Sequence, residues 1–151
     1  MTIIGINHVA IVVPDLEAGQ RFWVDALGLS LDHVAHVPEE GVDVAFLPAG
    51  NTEIELLQPL DENNGVGKFL RKRGPGIHHI CLEVAHIEET MSILRDKGVR
   101  LLNETPRTNP DGRKYAFVHP KSTGGVLVEL YQIPHTPDLH EDDQKPGGYE
   151  D

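Results

Sequence analysis

The chain has 151 residues, a formal net charge of −11, 39% hydrophobic residues and 25% charged residues. That composition is globular rather than disordered. The acidity excludes general binding to nucleic acid or to an anionic membrane surface, because phosphates are repelled, and leaves room only for a local basic patch. The length fits one compact domain, or two small halves sharing a core. The single cysteine, Cys81, cannot form an intrachain disulfide and reads as a packed core thiol. No basic, apolar leader and no run of about 20 apolar residues is visible, so a cytoplasmic protein is expected.

A first strand runs through Gly5-Ile6-Asn7-His8-Val9-Ala10-Ile11-Val12-Val13, where β-branched residues alternate. Pro14 and Asp15 lead into a helix whose Leu16, Phe22, Trp23, Ala26 and Leu27 can share one side, ending at Gly28. Residues 32–43 read as a strand end and a loop, followed by a strand over 42–47, a turn over 48–52 and a strand over 53–58. A helical piece from Val66 to Arg73 ends in a basic cluster of Arg71, Lys72 and Arg73. The next strand is Gly76-Ile77-His78-His79-Ile80-Cys81-Leu82-Glu83-Val84, with His78 expected to face away from His79. A helix with Ile87, Met91 and Leu94 stops at Gly98, and Val99-Arg100-Leu101 answers Leu29-Ser30-Leu31. A polar loop from Thr105 to Arg113, a strand at 115–118, a loop at 119–125 and a strand at 127–132 follow. Residues 134–151 read as an acidic, flexible tail with few apolar residues.

The first and fifth of these strands are copies. His8 and His79 lie 71 positions apart, each preceded by Gly, Ile and a polar residue and followed by alternating apolar residues. Each copy leads into a helix and then into further strands, the last carrying an acid, Glu55 or Glu129. The chain is a duplicated module. One module of roughly 60 residues is marginal alone, which favours halves that pack together.

His8, Glu55, His79 and Glu129 therefore occupy matched, inward-facing places. Singly, each reads more simply as a hydrogen-bonded core residue. Together they resolve the cost of burying ionised carboxylates by gathering around one divalent cation. Mixed nitrogen and oxygen ligation suits manganese, cobalt, nickel, zinc or iron.

On Asn7-His8-Val9-Ala10, Glu55-Leu56-Leu57-Gln58-Pro59-Leu60, the segment 76–84 and His119-Pro120-Lys121-Ser122-Thr123-Gly124-Gly125, the chain resembles the vicinal oxygen chelate superfamily. Within it the resemblance is to the methylmalonyl-CoA epimerase family, over residues 3 to 133 or so. The segment 119–125 separates it from the glyoxalase I group, which carries Asp-Pro-Asp-Gly at that turn. The resemblance implies an α+β fold of tandem βαβββ modules forming a half-open, eight-stranded, barrel-like sheet. It implies one domain over 1–133, with module 1 at about 3–60, a linker helix within 61–75 and module 2 at about 76–133. Further implications are a homodimer and a divalent metal held by His8, Glu55, His79 and Glu129. Cobalt or manganese is the metal most often found in the family, with nickel, zinc or magnesium as variants.

The reaction so implied interconverts the (R) and (S) forms of methylmalonyl-CoA by removing the α-proton and returning it to the other face, through a metal-stabilised enolate. That requires two acid/base groups, and Glu129 is one candidate. Some epimerases carry a second Glu three residues after the Gly of a Gly-Val loop, where this chain has Val44. Asp43 is the neighbouring candidate, although strand alternation turns it to the opposite face from Val44. Lys121 is expected to meet coenzyme A phosphates, with the 71–73 cluster as a weaker possibility. A glutathione-dependent glyoxalase needs the same four ligands, whereas a binding protein of this fold would dispense with them. An extradiol dioxygenase would use two His and one carboxylate on iron.

Overall fold

The structure, a computed structural model, describes residues 1–134; the tail expected over 134–151 lies, from residue 135 on, outside the described residues. Alternating apolar and β-branched residues form β1 (Ile3–Val12), β2 (His33–Val37), β3 (Val42–Ala49), β4 (Thr52–Pro59), β5 (Gly76–Val84), β6 (Arg107–Thr108), β7 (Lys114–Val118) and β8 (Val128–Gln132). They make one mixed sheet in the order β2-β3-β4-β1-β5-β8-β7-β6. The order is symmetric about the β1/β5 seam. Each half holds one parallel pair, β1 with β4 and β5 with β8, and the two halves meet along β1 and β5 in antiparallel register. The sheet is open and curved rather than a closed barrel, with β2 and β6 as its edges among the described residues. No helix among the described residues is long and apolar enough to cross a membrane.

Among the described residues three α-helices cover it: α1 (Leu16–Gln20), α2 (Gly65–Arg73) and α3 (Ile87–Asp96). On the outer face α1 packs over Val13, Ala45, Leu47 and Leu56. Its counterpart α3 buries Ile87 and Met91 against Val84, Ala116, Val118 and Leu130. The linker helix α2 lies on the inner face instead, where Val66, Phe69 and Leu70 cover Val12, Val42, Val44 and Leu57. Asn64 caps α2 by accepting from the Gly67 amide at 2.8 Å, and its own amide donates to the Gly41 carbonyl at 2.8 Å. One side chain thus ties the helix start to the tip of the β2–β3 hairpin.

Two expectations need correction. Phe22, Ala26 and Leu27 do not share the buried side of the first helix: Phe22 and Leu27 are each 54% exposed, and Ala26 is exposed too. From Arg21 to Ala26 the helix widens to the π form, with the Leu27 amide bonded to the Phe22 carbonyl at 2.8 Å. The extra residue per turn rotates the face, so Trp23 and Val24 reach the core. In module 2 the outermost strand is β6, inside the expected polar loop. Leu101 makes only an isolated bridge to Val118.

Gly67 is held glycine by contact. A Cβ there would lie 2.1 Å from the Asp61 carbonyl oxygen, whereas at Gly65 it would meet nothing within 4 Å. Gly67→Ala should therefore lower unfolding free energy by about 1–3 kcal/mol, despite alanine's better helix propensity. Gly65→Ala should be neutral or stabilise by up to about 1 kcal/mol. Urea unfolding of the two variants checks this; equal midpoints would refute the contact.

Candidate metal centre

Strand register alone brings the four candidate side chains to one face. Ala10 on β1 stands opposite both Glu55 on β4 and His79 on β5, while Cys81 on β5 stands opposite both His8 and Glu129. Directly opposed residues share a face, so all four point inward. Ala10 and Cys81 form the floor between them; both are fully buried, and they are equivalent positions of the repeat. Their small side chains leave the space above them to the donors.

The His8 Nε2 and His79 Nε2 atoms lie 3.1 Å apart, and Glu129 Oε1 is 3.1 Å from His79 Nε2 and 3.5 Å from His8 Nε2. Each of the three residues is no more than 9% exposed. Three electron-rich atoms converging in an apolar floor need a shared cation or shared protons between them. Donors bound to one cation at about 2.1 Å stand about 3 Å apart when adjacent, so this spacing fits a divalent metal. The donor set, two imidazoles and a carboxylate, has the chemistry such a metal requires.

Glu55 is placed differently from the other three. Its Oε2 lies 3.3 Å from His8 Nδ1, on the far side of the imidazole from the converging Nε2 atoms. The structure thus groups His8, His79 and Glu129 and sets Glu55 against the back of His8. Burial, only partly offset by His8 and reinforced by Glu53, Glu129 and Glu40, pushes the Glu55 carboxyl up to about 7. Glu129 goes the other way. Burial would raise it, but hydrogen bonds from His79 and His8 outweigh that and hold it at about 2. For His8, burial is overcome by Glu129 and Glu55, and its pKa rises. Burial first, then the charges of Glu129 and Glu55, drives the Cys81 thiol upward, so it stays protonated and inert.

His78 does not face away from His79. Ala10 pairs with His79 and Ile11 with Ile77, which leaves His78 as an extra residue in a β-bulge. The bulge brings its Nδ1 to 2.9 Å from His79 Nδ1, with the Phe69 ring packed edge-on at 5.1 Å. Burial, with His79 and Arg73 adding to it, lowers its pKa to about 4.

Asp43 is not brought to the cluster. It opposes Gln58, whose side chain accepts from the Leu16 amide on the outer face, and its own carboxylate is bonded to His36 Nδ1 at 2.5 Å. Lys121 sits exposed in a short 3₁₀ turn at Pro120–Ser122, capped by His119. Arg73, in the basic cluster that the sequence offers as a weaker candidate for the coenzyme A phosphates, stacks its guanidinium over Phe69. With Phe69, His78, Ile80, Pro120 and Leu127 it lines a cavity of about 360 Å³ beside the cluster. Glu40, at the hairpin tip, had given no signal in the sequence. The residue is exposed, yet its carboxyl is raised by partial desolvation and by the charge of Glu129, with His79 and His8 acting the other way.

Residues 7–117 match the glyoxalase/bleomycin resistance protein/dioxygenase superfamily. The chain is similar to the human mitochondrial methylmalonyl-CoA epimerase, with 44% identity over 84% of this chain and 73% of that protein. It is 42% identical to the ethylmalonyl-CoA/methylmalonyl-CoA epimerase of Cereibacter sphaeroides, over 85% of this chain and 97% of that one. Among solved structures, a variant of Streptomyces coelicolor methylmalonyl-CoA epimerase in complex with 2-nitronate-propionyl-CoA superposes with a TM-score of 0.78. That pair shares 34% identity, over 89% of this chain and all of the other. By its fold, its matched residues and these relatives, the chain belongs to the glyoxalase/bleomycin resistance protein/dioxygenase superfamily.

Proposed function

We propose that this protein is a metal-dependent epimerase that interconverts (R)- and (S)-methylmalonyl-CoA. The observation that carries the reading is the convergence of His8, His79 and Glu129 within 3.1–3.5 Å on the inner face of a chain 44% identical to such an epimerase. His8, His79 and Glu129 would hold the cation, with Glu55 as fourth donor or as the group behind His8. Cobalt or manganese suits this nitrogen and oxygen set. A cation bound there supplies a Lewis acid that acidifies the carbon beside a thioester carbonyl.

The chain's own residues handle the proton. Glu129, whose carboxylate stands on the converging side of the cluster, is the candidate to accept it on one side. Glu40 is the better partner than Asp43, because its charge couples to both carboxylates and both imidazoles whereas Asp43 is committed to His36. Arg73 on the cavity wall and Lys121 on the adjoining turn supply positive charge for the coenzyme A phosphates. Family resemblance extends the reading to a cytoplasmic homodimer built from one domain over 1–133.

Cobalt-loaded protein in deuterium oxide should exchange the α-proton of methylmalonyl-CoA, followed by NMR. Glu129→Ala should slow that exchange at least about 100-fold, Glu40→Gln should slow it less, and Asp43→Asn should leave it unchanged. Turnover of methylglyoxal with glutathione and no exchange would make the protein a glyoxalase. Lys121→Glu and Arg73→Glu should each raise the Michaelis constant for the acyl-CoA with little change in kcat; an unmoved constant would remove that residue from the phosphate site.

Protons compete with the cation for His8 and Glu55, whose pKa values are raised, the latter to about 7. Affinity for a divalent cation should therefore weaken as pH falls below about 7 and level off above it. Calorimetry in buffers of different ionisation heat should count protons released on binding at about pH 6 and fewer at about pH 8. A flat profile would contradict the assignment.

A further inference from the structure

The residue before each cluster histidine is Asn7 in the first module and His78 in the second, equivalent positions of the 71-residue repeat. Both are extra residues at register shifts in the β1/β5 seam. Asn7 falls between the pairs Ile6–Leu82 and His8–Cys81, and His78 between the pairs Ala10–His79 and Ile11–Ile77. In a regular strand each would turn its side chain to the opposite face from its neighbour. The bulges instead set both beside the histidine they precede. Asn7 Oδ1 lies 2.7 Å from His8 Nδ1, and His78 Nδ1 lies 2.9 Å from His79 Nδ1.

We propose that Asn7 and His78 are a matched pair of positioning residues that hold His8 and His79 in the tautomer with the proton on Nδ1, so that both Nε2 lone pairs face one cation. A neutral imidazole carries one proton, and a ring nitrogen that binds a metal cannot carry it. With Nε2 of each ring turned to the cluster, each Nδ1 must donate and needs an acceptor. Asn7 offers its amide oxygen. His78 can accept only through an unprotonated Nδ1, which puts its own proton on Nε2. Duplication has kept the device while changing its chemistry from an amide to an imidazole. Phe69, edge-on to His78, and Arg73 beyond it hold that ring in place. Glu55 gives His8 a second acceptor, while His78 is the one acceptor found at His79 Nδ1 among the described residues. His79 should thus depend on its partner more than His8 does.

The inference rests on the metal reading of this centre, and its test uses metal binding rather than turnover. Zinc affinity of the full chain is measured by competition with a chelating dye. His78→Leu should weaken zinc about 10- to 100-fold, the range typical of lost partners behind metal-bound histidines. His78→Asn, which copies the first module's device into the second, should stay within about threefold of wild type. Asn7→Leu should lose less than His78→Leu, since Glu55 remains. Nitrogen-15 histidine spectra of the zinc-loaded wild-type chain should show His79 protonated at Nδ1 and His78 at Nε2. That measurement stands even if a leucine variant fails to fold. Wild-type affinity in His78→Leu, an equal loss in His78→Asn, or a His78 proton on Nδ1 would overturn the pairing while leaving the metal reading intact. Failure of the wild-type chain to take up zinc or cobalt would overturn both.

Discussion

The burial of three lone-pair donors at the β1/β5 seam is the constraint to which the rest of this architecture answers. His8, His79 and Glu129 lie within 3.5 Å of one another on a floor made by Ala10 and Cys81. Removing an ionised carboxylate and two imidazoles from water costs several kcal/mol per charged group unless strong partners replace the solvent. Only a rigid frame can hold the donors that close. The frame is a pair of parallel strand couples fused edge to edge, so each donor comes from a paired strand rather than from a loop. Small residues between the donors are part of the same solution, because a larger side chain at Ala10 or Cys81 would fill the space the donors share.

Much of that frame is legible in the sequence because it is written twice. The repeat names the two central strands, alternation assigns their inner faces, and helix stops at Gly28 and Gly98 mark where each module turns back. What the sequence conceals are departures from ideal geometry. A π-widened turn looks like any amphipathic helix in one dimension, so Phe22 and Leu27 read as buried although they face solvent. A two-residue edge strand such as Arg107–Thr108 has no periodicity to detect. Its existence depends on β7 offering free backbone groups, which is a property of the assembled sheet.

The same division holds at the centre. Its four principal side chains follow from matched His and Glu positions, because duplication argues against accidental burial. Glu55 belongs to the group, yet its carboxylate lies behind His8 although its register against Ala10 is the same as that of Glu129 against Cys81, a difference between the two copies that spacing does not encode. Strict alternation puts His78 on the wrong face because it fails at a bulge, and bulges arise from pairing between strands 71 residues apart. Glu40 and Arg73 sit in segments that read as a loop and as a basic helix end. Glu40 couples to the cluster, and Arg73 reaches the cavity wall, only because the fold sets the hairpin tip and α2 on the inner side.

That linker helix also breaks the symmetry the duplication created. On module 1 it covers Val12, Val44 and Leu57, all of which are buried. The equivalent inner-face positions of module 2 are Glu83, Tyr115 and Tyr131, aligned by the same strand register and only half-buried. Apolar residues on one side demand a cover, and the linker supplies it. Polar and phenolic residues on the other tolerate solvent, and Tyr131 accepts a hydrogen bond from Arg113 at 3.0 Å. A scaffold with two equivalent flanks would offer a ligand two equivalent approaches to the donors. Here one flank is covered by a helix that also carries Arg73, and no helix among the described residues covers the other. The asymmetry of the two flanks is therefore set by where hydrophobic side chains had to be buried, not by the repeat that built them.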